Sequence, residues 1–185
     1  MSAQRFETTS LSPERTQDWG CKLGSLLTGG EVLGLRGDLG SGKTCFVRGL
    51  AAGLDVAENS WVRSPSFTLI NEYEGRVPLI HVDLFRVLPG PEMDDLLLDE
   101  YFDSNAVSVV EWYDRLMARE LDAHLEVNFR YLGERKRALT FIAHGRRYDE
   151  IVRELREIRG EKDASRAPGR GAASRSGRGR TVSSC

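Results

Sequence analysis

The sequence is poor in cysteine, in histidine and in long apolar segments. It has three cysteines and three histidines in 185 residues, and no two cysteines have the close spacing of a zinc or redox pair. We therefore expect neither a disulfide framework nor a zinc site. No segment approaches the roughly 20 apolar residues of a membrane span, and the first residues lack the apolar core of a secretory signal. These absences lead us to expect a cytoplasmic protein that does not enter a membrane.

The last part of the chain differs in composition from the rest. From about Gly160 it consists mainly of glycine, serine, alanine and arginine and is basic, whereas the remainder is acidic. Such a segment buries too little apolar surface to offset the entropy lost on ordering. We predict one domain over residues 1–159 and a disordered basic tail over residues 160–185. The tail would attract RNA weakly and without sequence preference; a solubilising extension is the alternative.

The most informative motif in the sequence is a P-loop. Residues 37–44 read Gly-Asp-Leu-Gly-Ser-Gly-Lys-Thr and fit the pattern Gly-x-x-x-x-Gly-Lys-[Ser/Thr] at every fixed position. The preceding residues 32–35 are apolar, as in a buried strand, and the following apolar residues have helical spacing. Strand, glycine loop and helix together form the arrangement that binds polyphosphate. The sequence therefore predicts a nucleotide-binding protein.

Each part of the loop has a predicted role. Backbone N–H groups and the positive end of the following helix would surround the phosphates. Lys43 would reach the β- and γ-phosphates as a catalytic residue, and the Thr44 hydroxyl would hold Mg2+. The predicted nucleotide-binding residues are Gly37, Asp38, Leu39, Gly40, Ser41, Gly42, Lys43, Thr44 and Cys45. A lowered pKa of the Cys45 thiol is one option there, and a small residue that fills the start of the helix is the other.

Two acidic residues follow apolar strands further along the chain. Asp83 ends the segment Leu-Ile-His-Val at 79–82, and Glu111 follows Val-Ser-Val-Val at 107–110. Both are expected at the carboxyl edge of the sheet, where nucleotides bind in open α/β folds. One carboxylate would hold Mg2+ and the other would orient or deprotonate the attacking group. Which of Asp83 and Glu111 contacts the metal stays open.

The remaining pattern predicts an α/β fold that resembles P-loop NTPases, with a mainly parallel central sheet, antiparallel edge strands and flanking helices. The loop at 64–68 carries hydroxyl groups that would sense the γ-phosphate, or it is an ordinary turn. Predicted strands occupy residues 5–9, 32–35, 61–63, 68–73, 77–84, 106–110, 125–131 and 138–143, and predicted helices occupy 12–27, 44–54, 91–102 and 148–158.

An ordered set of motifs carries a family resemblance. After the P-loop come Ser-Pro-Ser-Phe-Thr-Leu at 64–69, His-Val-Asp-Leu-Phe-Arg at 81–86 and Val-Glu-Trp at 110–112. In this order and at these intervals they closely resemble the bacterial TsaE (YjeE) family, from the first helix to about residue 145. The resemblance implies an ATPase required for threonylcarbamoyladenosine in tRNA, which acts with TsaD and TsaB. It also implies Thr44 and Glu111 as Mg2+ ligands, Lys43 as the phosphate lysine and Asp83 as a catalytic acidic residue. Transfer RNA would be an indirect partner, through the basic tail.

Three other functions compete with this reading. A small-molecule kinase would need an arginine-bearing lid, and the basic turn at 133–137 is the one candidate, although it looks more like the tip of a hairpin. A GTPase would read guanine with Asn-Lys-x-Asp, which the sequence lacks, and this favours ATP. A binding module that holds nucleic acid through its tail is the third.

Overall fold

The computed structural model describes residues 3–87, 98–102, 105–116 and 123–165. Seven strands occur in these ranges: β1 (Arg5–Ser10), β2 (Val32–Arg36), β3 (Ile70–Tyr73), β4 (Leu79–Asp83), β5 (Val107–Glu111), β6 (His124–Tyr131) and β7 (Arg137–His144). They form one sheet in the order β1-β7-β6-β2-β5-β4-β3. The helices are α1 (Pro13–Leu26), α2 (Lys43–Gly53), α3 (Leu98–Phe102) and α4 (Arg146–Ser165).

The centre of the sheet is parallel and both of its edges are antiparallel. β2 pairs in parallel with β5 and β6, and β5 pairs in parallel with β4. At the edges, β3 is antiparallel to β4, while β7 is antiparallel to both β6 and β1. This confirms the predicted fold class and both predicted hairpins. It also brings the carboxyl ends of β2, β4 and β5 to one edge.

Successive side chains of each strand point to opposite faces of the sheet, so the hydrophobic core has two parts, one on each face. On one face, α1, α2 and α4 pack on β2 and β6 through a cluster that includes Trp19, Leu23, Leu33, Leu35, Phe46, Leu50, Leu125, Val127, Ile151 and Leu155. On the other, α3 and the short 3-10 helix Tyr113–Leu116 cover β4 and β5 through a second cluster that includes Ile80, Val82, Leu98, Val110, Tyr113 and Leu116. The central strands are therefore buried on both sides, as parallel sheets require.

Glycines set the close contact between α1 and α2. A Cβ added at Gly20 would lie 2.1 Å from the carbonyl oxygen of Phe46, and one added at Gly49 would lie 2.0 Å from that of Gln17. No side chain fits at such distances, so these positions allow the two backbones to approach. α1 starts at the predicted cap, where the Ser12 side chain accepts from the Arg15 N–H at 3.3 Å. The contact fixes the helix that follows the P-loop.

Two predicted elements differ from the structure. The strand predicted at 61–63 is wrong: these residues are irregular, and Trp61 has φ of 47°, in the left-handed region that strands exclude. α4 continues past residue 158 to Ser165, because the residues after Gly160 include helix formers such as Glu161, Lys162 and Ala164. The helix thus enters the segment predicted as a disordered tail, and the rest of that tail lies outside the described residues. So does most of the helix predicted at 91–102, of which 98–102 are helical.

No helix within the described ranges combines the length and the hydrophobicity that crossing a bilayer requires.

Candidate functional site

The P-loop connects β2 to α2 with a backbone that glycine makes possible. Gly37, Gly40 and Gly42 have φ of 144°, 74° and 106°, values that side chains with a Cβ rarely adopt. Gly37 is also tightly packed, because a Cβ there would lie 2.6 Å from the carbonyl oxygen of Phe129. Gly42 is the N-cap of α2 and offers no side-chain acceptor to the first N–H groups of the helix. These donors are available to an anion at the positive end of the helix.

Lys43 lies across the mouth of the loop. Its side chain is buried, and its Nζ donates to the carbonyl oxygens of Gly37 at 2.6 Å and Asp38 at 3.0 Å. The same ammonium lies 4.0 Å from the centre of the Trp112 ring, within the range of a cation–π contact. Burial lowers the pKa of Lys43, and the nearby carboxylates of Glu111 and Asp83 partly oppose this shift. Trp112 thus contacts the lysine of the P-loop.

Thr44 is bonded to Glu111 at the end of β5. The Thr44 hydroxyl donates to Glu111 Oε1 at 2.8 Å, with Oε2 at 3.1 Å. His81, fully buried on β4, places its Nε2 3.0 Å from the same Oε1. Because an ionised carboxylate only accepts, Nε2 carries the hydrogen of this bond. His81 therefore orients the carboxylate that meets the first turn of α2.

Asp83 is held by the loop that follows the 3-10 helix Glu58–Ser60. The hydroxyls of Ser64 and Ser66 both donate to Asp83 Oδ2, the latter at 2.7 Å, and the Phe85 N–H donates to Oδ1 at 2.9 Å. Oδ1 keeps a second lone pair for another donor. The hydroxyl loop, for which phosphate sensing and a simple turn are both predicted, contacts the acidic residue Asp83 through two serines.

One cavity of about 400 Å³ brings the predicted residues together. Asp83 and Glu111 are neighbours in the register of β4 and β5, so their side chains leave the same edge of the sheet. The lining residues are Leu39, Gly40, Ser41, Gly42, Lys43, Thr44, Cys45, Ser64, Ser66, Phe67, Asp83, Phe85, Arg86, Glu111 and Trp112. Gly37 and Asp38 contribute through the carbonyls that accept from Lys43.

The sequence did not reveal the part played by Arg137. This side chain, at the start of β7, donates from Nε to the carbonyl of Ser41 at 2.9 Å and from Nη2 to that of Gly40 at 3.2 Å. Its Nη1 donates to the carbonyl of Gly133 at 2.8 Å, across the β6–β7 turn. Arg137 thus connects the P-loop to the β6–β7 turn. The sequence showed only its place in a basic turn, which was a candidate lid but resembled the tip of a hairpin more closely.

Loss of Arg137 is expected to weaken nucleotide binding. Arg137→Gln removes the guanidinium bonds to the two P-loop carbonyls, worth roughly 1 kcal/mol each. The dissociation constant for a nucleoside triphosphate should rise about tenfold or more as the loop loosens. The measurement is a fluorescence or calorimetric titration. The matched control is Arg135→Gln in the same turn, because Arg135 pairs with exposed Glu14 at 3.5 Å. Equal affinity in the two variants would contradict the role of Arg137.

The Cys45 thiol is expected to react slowly with alkylating reagents. Burial raises its pKa, with the Arg48 charge opposing this effect, and its Sγ lies 3.3 Å from the Pro13 carbonyl that accepts from it. This contradicts a lowered pKa and agrees with a residue that fills the start of the helix. Because the thiolate is the reactive form, alkylation of Cys45 at pH 8 should be slower than that of a cysteine peptide. Peptide mass spectrometry after timed iodoacetamide exposure measures this; equal rates would contradict it.

Comparisons with known proteins agree with the geometry. A family model described as "Threonylcarbamoyl adenosine biosynthesis protein TsaE" matches residues 10–139. A Bacillus subtilis protein named "tRNA threonylcarbamoyladenosine biosynthesis protein TsaE" is 38% identical over 153 residues, which cover 82% of this chain and 94% of that protein. Proteins of the same name from Treponema pallidum and Aquifex aeolicus are 37% and 43% identical, over 71% and 68% of this chain and 96% and 87% of their own lengths.

A solved structure is similar as well. The crystal structure of YdiB from Bacillus subtilis matches with a TM-score of 0.72 and 32% identity, over 86% of this chain and 99% of the YdiB chain. The similarity therefore extends over nearly all of the solved chain.

Proposed function

This chain belongs to the TsaE family of threonylcarbamoyl adenosine biosynthesis proteins, and from that premise we propose that it binds ATP with Mg2+ and hydrolyses it. The hydrolysis would serve the modification of tRNA by acting on the TsaD–TsaB complex. The bond between Thr44 and Glu111, in the same cavity as Lys43, is the observation that carries this proposal.

The polar groups that line the cavity fit a nucleotide with bound Mg2+. A hydroxyl and a carboxylate meet at 2.8 Å, and oxygen atoms of these kinds are the ligands that Mg2+ prefers. Uncapped N–H groups at the start of α2 and the Lys43 ammonium face the same cavity and suit phosphate oxygens. When bound, Mg2+ neutralises charge on the β- and γ-phosphate oxygens. Thr44 and Glu111 would hold it.

The two carboxylates take different roles in this proposal. Glu111 already meets the hydroxyl of Thr44, so it is the metal ligand of choice, with His81 fixing its orientation. Asp83 is held by two serines and a backbone N–H, and its Oδ1 has a lone pair to spare. It would accept a hydrogen bond from the attacking water and align it with the γ-phosphate. We propose this division for the question of which carboxylate contacts the metal.

Within the described residues, the basic turn does not supply the lid that the kinase alternative needs. Arg137, the cation of the basic turn that best reaches the loop, donates to the carbonyls of Gly40 and Ser41. Unlike Lys43, which also donates to loop carbonyls, Arg137 does not line the cavity. None of the residues of that turn lines the cavity. The geometry therefore favours hydrolysis over transfer to a small alcohol.

ATP turnover with and without purified TsaD and TsaB tests the proposal. We expect slow turnover by the protein alone and a several-fold rise when both partners are added, with phosphate as the product. The control replaces the protein by Lys43→Met in the same mixture, which reports any turnover by the partners. Absence of a rise, or rapid phosphorylation of a small alcohol, would contradict the proposal.

A further inference from the structure

Two histidines and a glutamate converge away from the nucleotide cavity. His124 and Glu126 are two residues apart on β6 and share one face of that strand. His144, at the end of β7, is the direct cross-strand partner of His124. One ligand atom from each of the three residues lies within 4.8 Å of the others. The β6–β7 hairpin thus brings two imidazoles and a carboxylate together, without any cysteine spacing that would indicate a metal.

The distances within this cluster do not match a completed hydrogen-bond network. His144 Nε2 lies 3.8 Å from Glu126 Oε2, which is too long for a hydrogen bond. That Nε2 atom is buried, and within the described residues it has no hydrogen-bond partner. The two imidazole rings stack at 4.2 Å with an angle of 10°. The buried ring nitrogen and the carboxylate oxygen thus lie close together without a hydrogen bond, and each has a lone pair that a cation could accept.

Neighbouring groups orient the cluster. Asn128 donates from Nδ2 to Glu126 Oε1 at 2.7 Å and so leaves Oε2 on the side of His144. The Tyr113 hydroxyl lies 3.1 Å from His124 Nε2 and forms a hydrogen bond with it. Amide and phenol groups of this kind hold metal-binding side chains in place in known sites. These contacts limit the rotation of two of the three side chains.

We propose that His124, Glu126 and His144 bind a divalent transition metal, with Zn2+ as the best fit. Imidazole and carboxylate ligands suit Zn2+, Co2+ and Ni2+ better than Mg2+. Bonds of roughly 2.0–2.2 Å place two ligand atoms of a tetrahedral ion about 3.4 Å apart. The 3.8 Å between His144 and Glu126 is near that value, and the remaining separations, all within 4.8 Å, would shorten by side-chain rotation when the ion binds. Three ligands leave a coordination position for water.

The Arg36 guanidinium is expected to compete with the metal ion for the Glu126 carboxylate, and this competition gives the proposal a further test. Its Nε lies 3.6 Å from Glu126 Oε2, so a bound cation and the guanidinium compete for one carboxylate oxygen. Arg36 is half exposed and can move into solvent. The competition keeps the affinity moderate, and it predicts that Arg36→Gln binds Zn2+ more tightly than the natural chain.

The test is a titration of the untagged full-length protein, stripped with a chelator and kept in millimolar Mg2+. Zn2+ is added in a calorimeter, and Co2+ is followed by visible absorption. One equivalent of each ion should bind, and His144→Gln and Glu126→Gln should each weaken binding about tenfold or more. The control is Glu7→Gln, which removes an exposed carboxylate on β1 and should leave binding unchanged.

Three results would overturn the proposal. The first is failure of the natural chain to bind Zn2+ below about 100 μM, an affinity near 5.5 kcal/mol. The second is equal Zn2+ affinity in the natural chain, His144→Gln and Glu126→Gln, which would make the cluster purely structural. The third is weaker binding in Arg36→Gln, because the guanidinium would then not compete with the ion. Circular dichroism of each variant shows that a loss of binding is not a loss of folding.

Discussion

Lys43→Met is expected to abolish ATP turnover and to leave the fold intact. The ammonium of Lys43 is the buried cation of the cavity wall and lies beside the loop carbonyls of Gly37 and Asp38. Removing a donor aimed at transition-state charge costs about a hundredfold to a thousandfold in kcat. Steady-state phosphate release measures the effect. Lys136→Met, in the exposed β6–β7 turn, is the control and should retain turnover.

The stability of the same variant is a separate expectation. Burial lowers the pKa of Lys43 in the folded state relative to the unfolded chain. Folding therefore disfavours the charged form of Lys43. At every pH where the lysine is protonated, including pH 7, its burial lowers the free energy of unfolding. That cost fades as the pH rises through the folded pKa towards the unfolded pKa. Lys43→Met should melt no lower than the natural chain at pH 7, with an advantage that shrinks at alkaline pH. Unchanged turnover, or a large fall in Tm, would contradict the assignment.

Asp83→Asn should separate binding from hydrolysis. Asparagine keeps the size of the side chain but loses the charge that would accept the proton of the attacking water. The kcat is expected to fall about a hundredfold, while the Kd for ATP changes little, because Asp83 is held by Ser64, Ser66 and the Phe85 N–H rather than by the P-loop. Single-turnover hydrolysis and a binding titration measure the two effects. Asp55→Asn, an exposed carboxylate paired with Arg76, is the control.

Glu111→Gln should behave differently from Asp83→Asn. Its carboxylate accepts from Thr44 and His81, so the variant should raise the Mg2+ concentration needed for half-maximal turnover. A matched rise in Asp83→Asn, or identical Mg2+ curves for Glu111→Gln and the natural chain, would contradict the division of roles.

The sequence predicted the P-loop and the two acidic strand ends because each depends on a short local pattern. Apolar residues followed by a carboxylate indicate a strand that ends at the sheet edge, and the structure places Asp83 beside Glu111 there. The contacts of Arg137 could not be predicted in the same way. They depend on β6 pairing with β2 and on the β6–β7 turn reaching Gly40. Such contacts follow from the order of strands in space and not from neighbours in the sequence.

Other features could not be predicted from the sequence because the local residue pattern and the tertiary context favour different conformations or roles. Residues 61–63 are apolar enough for a strand, but Trp61 adopts a left-handed conformation. Gly20 and Gly49 interrupt helical patterns as weak helix formers, yet they allow α1 and α2 to touch. His81 had the pattern of a packed strand residue, and its bond to Glu111 depends on the register of β4 with β5.

The most direct test of the central claim is the number of tRNA molecules modified per TsaD–TsaB complex. With ATP and the natural chain, each complex should complete many rounds of threonylcarbamoyl transfer. With Asp83→Asn, which is expected to bind ATP but to hydrolyse it very slowly, transfer should stop near the first round. Equal numbers of rounds with the natural chain and with Asp83→Asn would show that hydrolysis in this cavity does not drive the cycle, and would contradict the account.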